Sequence, residues 1–156
     1  MRERQASVVI LGGGPGGYEA ALVAAQIGAR VTVVDSDGLG GACVLTDCVP
    51  SKTLIATSET MGLLRGSAGL GIRIAGTGSV GIDAPRLYRR VKALARAQSA
   101  DVAARLAAEG VEVVVGRGRL AGAHAVVVGD REISADVVLV ATGGLPRALP
   151  GAEPDG

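Results

Sequence analysis

The stretch Ser7-Val8-Val9-Ile10-Leu11 runs straight into Gly12-Gly13-Gly14-Pro15-Gly16-Gly17, and this junction constrains the fold more than any other part of the chain. A short, continuously apolar run suits a strand buried on both faces of a parallel sheet. The residues that follow, YEAALVAAQIGA, read as a helix with Leu22, Val23 and Ile27 available for one face and Gly28 at its end. Arg30 to Asp35 (RVTVVD) is a second strand. Strand, glycine turn, helix and strand make a βαβ unit of roughly the usual 30 residues.

The glycines at 12, 14 and 17 have the G-x-G-x-x-G spacing, and each has a separate physical task. Gly12 permits the tight turn off the strand, Gly14 lets a pyrophosphate approach the backbone, and Gly17 lets the helix pack closely on the sheet. Pro15, within the same turn, is a candidate cofactor-binding residue with them. The helix N-terminus then presents free N–H groups and a positive dipole end to phosphates. Asp35 ends the next strand, where a carboxylate accepts hydrogen bonds from a ribose hydroxyl pair. Glycine-rich turns are common, so a plain strand-to-helix turn is the rival reading. The strand before, the helix after and the acid downstream favour dinucleotide binding.

Downstream, Gly38 to Val49 reads as a loop and Pro50 as the start of a helix reaching about Arg65. Gly66 to Ile82 is glycine-rich and reads as a loop. Asp83 caps a long helix beginning at Ala84-Pro85 and ended by Gly110. Its expected buried face carries Leu87, Val91, Leu94, Val102 and Leu106, with Gln98 as a polar interruption. Val111 to Val115 is a third buried strand. Leu120, Ala123 to Val128 and Glu132-Ile133 suggest a small antiparallel meander turning at Gly129-Asp130. Asp136 to Ala141 is a last buried strand, ending in Thr142-Gly143-Gly144, and Pro146, Pro150 and Pro154 make the tail irregular. The expected fold is α/β: a Rossmann-like domain over residues 1–150, with a mainly parallel sheet and a small meander, followed by a linker at 151–156.

Composition narrows the function classes. Hydrophobic residues make up 48% of the 156, but Phe and Trp are absent, so the core must come from Val, Leu, Ile and Ala. A net charge of +1 lacks the basic footprint of a nucleic-acid partner. No apolar run is long enough to span a membrane, and the N-terminal one is too short for a signal-peptide core. The chain reads as cytoplasmic, where two cysteines are more often catalytic or metal-binding than structural.

Those cysteines, Cys43 and Cys48, lie in GGACVLTDCVPSK. Zinc usually takes four ligands, and the lone histidine, His124, stands far away in the meander, so no metal site is expected. A disulfide needs Cα atoms about 5–6 Å apart, whereas five extended steps span about 17 Å, so the segment must fold back. Cys48 precedes a helix start, where the dipole favours a thiolate. Lys52 in the first turn is disfavoured by that dipole, which points to another partner such as an electron-rich cofactor edge or a carboxylate.

GGGPGGYEAA, VTVVD, GGACVLTDCVPSK and VLVATGGLPRALP, in this order, resemble the N-terminal part of the flavoprotein disulfide reductases. The wording ACVLTDCVPSKT is most similar to a branch described as dihydrolipoamide-dehydrogenase-like or NAD(P)H quinone reductase. The resemblance implies FAD. By position, Gly12, Gly14 and Gly17 would hold its pyrophosphate and Asp35 its adenosine ribose. Gly40, Gly41, Ala42 and Cys43 would line the flavin side. Cys43 would be the interchange thiol, Cys48 the thiol beneath the flavin ring, and Lys52 would sit near the flavin N5. Gly118 would bring backbone to the adenine, and Thr142, Gly143 and Gly144 would lie near the cofactor. Asp35 and Ala42 depart from the family's usual Glu and Thr.

Family members are roughly three times longer. The resemblance therefore implies a missing NAD(P)H-binding domain and a C-terminal interface domain, which supplies a His-Glu pair across a homodimer. The chain is expected to be a fragment or partial gene product. Three functions remain open: a disulfide reductase, a quinone reductase with idle cysteines, and a non-catalytic nucleotide-binding module.

Overall fold

The computed structural model describes residues 5–73, 80–145, 147 and 149–152. The apolar run at the N-terminus forms β1 (Ser7–Leu11), the post-glycine segment α1 (Pro15–Gln26) and the next run β2 (Arg30–Asp35). A short helix α2 (Gly41–Leu45), the longer α3 (Cys48–Gly66) and a 3₁₀ turn at Ser67–Leu70 lead to α4 (Ala84–Ala108). The strands β3 (Glu112–Val115), β4 (Gly118–Gly122), β5 (Ala125–Val128), β6 (Arg131–Ser134) and β7 (Val137–Val140) complete the order.

β1, β2, β3 and β7 form one sheet in the order β3-β2-β1-β7, and every pairing is parallel. β4, β5 and β6 form a separate antiparallel sheet, turning at Gly129-Asp130 as expected. Alternate residues of the parallel strands feed two cores, because successive side chains point to opposite faces. Ile10, Val31 and Val33 pack with Ala21 and Leu22 of α1 and Val102 and Leu106 of α4. Val9, Leu11 and Val34 pack instead with Val126 and Ile133 of the meander. The result is three layers: helices, parallel sheet, meander. The Rossmann-like α/β architecture is the observed one.

Glycine sets the closeness of these layers. A Cβ on Gly17 would run into the Gly12 carbonyl oxygen, and one on Gly118 would run into Leu11 and Val34 beneath the meander.

Several expected details differ. Of the three residues assigned to the α1 face only Leu22 is buried; Val23 and Ile27 are 57% and 81% exposed. The sheet takes the small residues Gly17 and Ala21 beside Leu22, which rotates the larger pair outward. In α4 the buried stripe is Val91, Ala95, Val102 and Leu106, while Leu94 is exposed. The stripe turns by one residue, so Gln98 leaves it and Ser99 enters, donating its hydroxyl to the Leu39 carbonyl at 2.6 Å. Asp83 does cap α4, accepting from the Arg86 N–H at 2.9 Å. Of the loop expected at 66–82, residues 74–79 lie outside the described residues, as do Pro146 and Pro154 of the tail. Among the described residues, no helix is long and apolar enough to cross a membrane.

Candidate dinucleotide and dithiol site

A cleft of about 700 Å³ opens at the C-terminal ends of β1, β2 and β7. Its floor is Gly12, Gly14, Pro15 and Gly16 from the first turn; one wall is Asp35 and Asp37. Gly41, Ala42, Cys43, Leu45 and Thr46 supply the α2 wall, and Ala141 through Leu145 the other. In open α/β sheets this end of the strands is where ligands bind.

The glycines divide by cause. Gly12 has φ +101°, and a Cβ there would strike the Ala141 carbonyl oxygen, so its requirement lies within the protein. Gly14 is different: its φ is −68°, and an added Cβ would meet only the Gly41 Cα, at 3.9 Å. Nothing in the protein needs glycine there, yet the position faces the cleft. The missing side chain leaves room for a ligand against the backbone. No side chain caps α1 and no acid stands in its first turn, so the helix end keeps its attraction for an anion.

Asp35 behaves as a clasp. Its Oδ2 accepts from the Gly13 N–H at 2.7 Å, and its Oδ1 accepts from the Asp37 and Gly38 N–H groups at 2.9 and 2.6 Å. The carboxylate thus ties the glycine turn after β1 to the turn after β2. Gly40 continues the tie, its N–H donating to the Gly13 carbonyl at 2.7 Å.

The segment expected as a loop from Gly38 to Val49 folds into α2 and the first residues of α3. Gly41, at φ +56°, comes so near the first turn that a Cβ would lie 2.8 Å from the Gly14 Cα. The Thr46 and Asp47 N–H groups both return to the Ala42 carbonyl, at 3.0 and 2.8 Å. This helical turn brings the thiols together. α3 begins at Cys48, two residues before Pro50, because Pro50 in the first turn gives up only an N–H that has no helical partner.

Cys43 and Cys48 are both free thiols, Cys43 partly buried and Cys48 exposed. They lie within hydrogen-bonding reach, and the bond to Cys48 holds the Cys43 thiol above its usual value, with burial and the charges of Cys48 and Asp47 adding to the rise. Cys43 lines the dinucleotide cleft. Cys48 and Lys52 stand one helical turn apart on α3, beside a separate hollow of about 450 Å³ that also includes Arg90 of α4, so Lys52 does not line the cleft.

Of the residues singled out from sequence, the cleft thus gathers Gly12, Gly14, Pro15, Asp35, Gly41, Ala42, Cys43, Thr142, Gly143 and Gly144. Gly17, Gly40 and Gly118 stand behind it as packing positions. Asp37, Leu45 and Thr46 line it without having been singled out. The i, i+4 spacing of Ala42 and Thr46 was the available signal, concealed by reading α2 as loop. His124 lies at the opposite end of the sheet, its Nδ1 3.0 Å from the Asp136 carbonyl oxygen. Among the described residues, no cluster of three or more His, Cys, Asp or Glu can hold a metal.

Fold and cleft define a dinucleotide-binding α/β domain carrying a vicinal pair of thiols. Comparison with known proteins agrees: the sequence profile of the pyridine nucleotide-disulphide oxidoreductases matches residues 6–156, and the chain belongs to that family. It is 50% identical to an NAD(P)H dehydrogenase (quinone) of Mycobacterium tuberculosis, covering 96% of this chain and 33% of that protein. It is 37% identical to a dihydrolipoyl dehydrogenase of Chlorobaculum tepidum, covering 97% and 33%. The crystal structure of LpdA from Mycobacterium tuberculosis superposes with a TM-score of 0.83 at 48% identity, over 96% of this chain and 34% of that one. The chain spans about a third of the length of the curated relatives it matches.

The family implies FAD, and the cleft fits the phosphate-bearing half of such a molecule. The vacant side-chain position at Gly14 and the uncapped end of α1 suit a pyrophosphate. Cys43 stands at the α2 end of the same cleft, with Cys48 next to it on α3.

Proposed function

We propose that this chain is the FAD-binding, dithiol-bearing part of a longer cytoplasmic NAD(P)H-dependent oxidoreductase that reduces a small disulfide of the lipoamide type. The observation that carries the reading is the approach of Cys43 and Cys48 to hydrogen-bonding distance, with Cys43 on the wall of the dinucleotide cleft. Bound FAD would supply two-electron transfer from the nicotinamide. Gly12, Gly14, Pro15 and the α1 N-terminus would hold its pyrophosphate, and Gly41, Ala42, Thr142, Gly143 and Gly144 would line its path. Lys52 would stand as a cation near its ring.

The dithiol chemistry balances within the chain. Reduction by two electrons and two protons breaks a Cys43–Cys48 disulfide into two thiols. Cys43, as thiolate, attacks one sulfur of the acceptor disulfide, forming a mixed disulfide and releasing one acceptor thiol. Cys48 then attacks the Cys43 sulfur, which restores the internal disulfide and releases the second thiol. Thiolate is the attacking form in each step, so the protonation of this pair controls the rate.

A quinone acceptor is the second reading, favoured by the higher identity to the quinone dehydrogenase. In it the thiols are dispensable. The full-length protein would act as a homodimer, with residues 1–150 as this domain and 151–156 leading into the nicotinamide-binding part. The 156-residue chain alone is expected to bind FAD weakly and turn over neither acceptor. The separating experiment assays the full-length protein with lipoamide and with a benzoquinone, as wild type, Cys43→Ser and Cys48→Ser. Loss of lipoamide reduction in both variants supports the first reading. Full quinone turnover in both variants, with no lipoamide reduction by wild type, supports the second and ends the first.

A further inference from the structure

The helix α2 is five residues long and carries Cys43, yet its own residues do not fix its position. A helix so short is not stable by itself. Its entrance is Gly40 and Gly41, at φ +95° and +56°, and no side chain caps it. Glycine is the most permissive backbone, so such an entrance must be held from outside. Two polar ties do this. The Gly40 N–H donates to the Gly13 carbonyl at 2.7 Å, and the Leu39 carbonyl accepts from the Ser99 hydroxyl of α4 at 2.6 Å. Among the described residues no backbone N–H donates to that carbonyl. The long helix α4 is also the common support of both thiols. It packs against α2, which carries Cys43, and against α3, which begins at Cys48. The Ser99 proton goes to Leu39, so Ser99 acts on the thiols through α2.

We propose that Ser99 is a positioning residue for the dithiol: its hydrogen bond to Leu39 holds α2 so that Cys43 faces Cys48 in the geometry a disulfide requires. This assignment rests on the reading of the two cysteines as a redox pair, and it names a residue that sets how readily the pair closes. Closure joins the two sulfurs and releases two electrons and two protons. With oxidised glutathione as acceptor, the glutathione disulfide takes both and leaves as two thiols. A disulfide tolerates only Cα separations of about 4.4–6.8 Å, so an α2 free to drift is less often in closing geometry. Loss of the tie therefore lowers both the rate of closure and the equilibrium share of disulfide.

The test equilibrates the full-length protein in glutathione redox buffers, then counts free thiols at Cys43 and Cys48 by alkylation and mass spectrometry. The net contribution of one hydrogen bond corresponds to roughly 2- to 12-fold in an equilibrium constant. Ser99→Ala is expected to lower the constant for disulfide closure by about that factor. Ser99→Thr and Ser99→Val have nearly the same shape and differ in the hydroxyl. The Thr variant is expected to close as wild type does, and the Val variant to match Ser99→Ala. Val126→Ala is the control for stability alone, since Val126 is fully buried in the core beneath the meander, which α2 does not enter. It is expected to lower the urea midpoint and leave the closing constant unchanged. Wild-type closure in Ser99→Ala, equal constants in Ser99→Thr and Ser99→Val, or an equal drop in Val126→Ala overturns the assignment but leaves the redox pair standing. A wild-type protein that forms no Cys43–Cys48 disulfide overturns the redox pair, and this assignment with it.

Discussion

Ser99 of α4 donates its hydroxyl to the carbonyl of Leu39 at 2.6 Å, linking residues 60 positions apart. Leu39 is buried and directly precedes Gly40, whose N–H donates to the Gly13 carbonyl at 2.7 Å. One polar side chain therefore ties the long helix to both turns that build the cleft. In Ser99→Ala the buried Leu39 carbonyl keeps no side-chain donor. Leaving such a group unsatisfied costs about 1–3 kcal/mol. A urea titration is expected to show a lower midpoint with an unchanged slope.

Gly14 and Gly17 separate ligand room from protein packing. Gly17→Ala places a methyl group on the Gly12 carbonyl oxygen, beside the sheet. Overpacking of this kind costs about 1–3 kcal/mol or more, and thermal melting is expected to show it without any ligand. Gly14→Ala meets nothing closer than 3.9 Å, so the apoprotein is expected to melt as wild type does. Its cost is expected in FAD affinity, weaker by at least about tenfold, because the methyl occupies the space reserved for phosphate. Equal FAD binding in wild type and Gly14→Ala would remove the pyrophosphate from this turn.

Much of this site was legible because it rests on backbone requirements that only a few residue types meet. The unbroken runs SVVIL and DVVLVA announced parallel strands, and the G-x-G-x-x-G turn announced the strand end at which the cleft opens. The burial expected of DVVLVA is not met, because β7 is the edge strand and leaves Val137, Leu139 and Val140 exposed. The cysteine segment was read only in part. Its helix α2 is five residues long, too short to show a periodicity, and depends on Gly40 and Gly41 at positive φ. The faces of α1 and α4 differ from expectation for one reason. Apolar size does not mark burial here, because close layers select Gly17, Ala21 and Ala95 and turn Val23, Ile27 and Leu94 outward. Asp35 carried the right signal for its position, but the clasp it forms involves amides from two separate turns, which no sequence spacing reveals.

Glu112 on β3 accepts from Arg131 on β6 at 2.8 Å and from Thr32 on β2 at 3.1 Å, joining the two sheets. The Arg131 hydrogen bond is the main cause of a lowered Glu112 pKa, opposed by burial and helped by Thr32. A lowered pKa means that the contribution is present above the ordinary carboxylate range and is lost as pH falls through the lowered value. Both side chains are about half exposed, so solvent screening keeps the pair below about 1 kcal/mol. Arg131→Ala is expected to be slightly less stable than wild type at pH 7. The gap should close in acid and shrink in high salt. A gap that widens in acid would contradict the assignment.

The raised Cys43 pKa, caused first by its hydrogen bond to Cys48, has a kinetic consequence. A higher pKa leaves less thiolate at neutral pH, so alkylation of Cys43 is expected to accelerate only at a pH above the ordinary thiol midpoint. Replacing Cys48 with alanine removes both the hydrogen bond and the charge, so the midpoint should move down. Site-resolved alkylation rates from pH 6 to 10 check this. An unchanged midpoint in Cys48→Ala would show that the two sulfurs do not interact, and a higher one that Cys48 favours the Cys43 thiolate; either contradicts the raised value.

Cys43 and Cys48 are expected to form a redox pair served by the cofactor of the neighbouring cleft. The most direct test counts thiols in the full-length, FAD-loaded protein. After mild oxidation, mass spectrometry of the alkylated protein is expected to find Cys43 and Cys48 joined and unlabelled. Anaerobic addition of NADH or NADPH should then make both available to alkylation, with no added thiol reductant. Two thiols that remain alkylable after oxidation, or a disulfide that neither nicotinamide opens, would contradict the account.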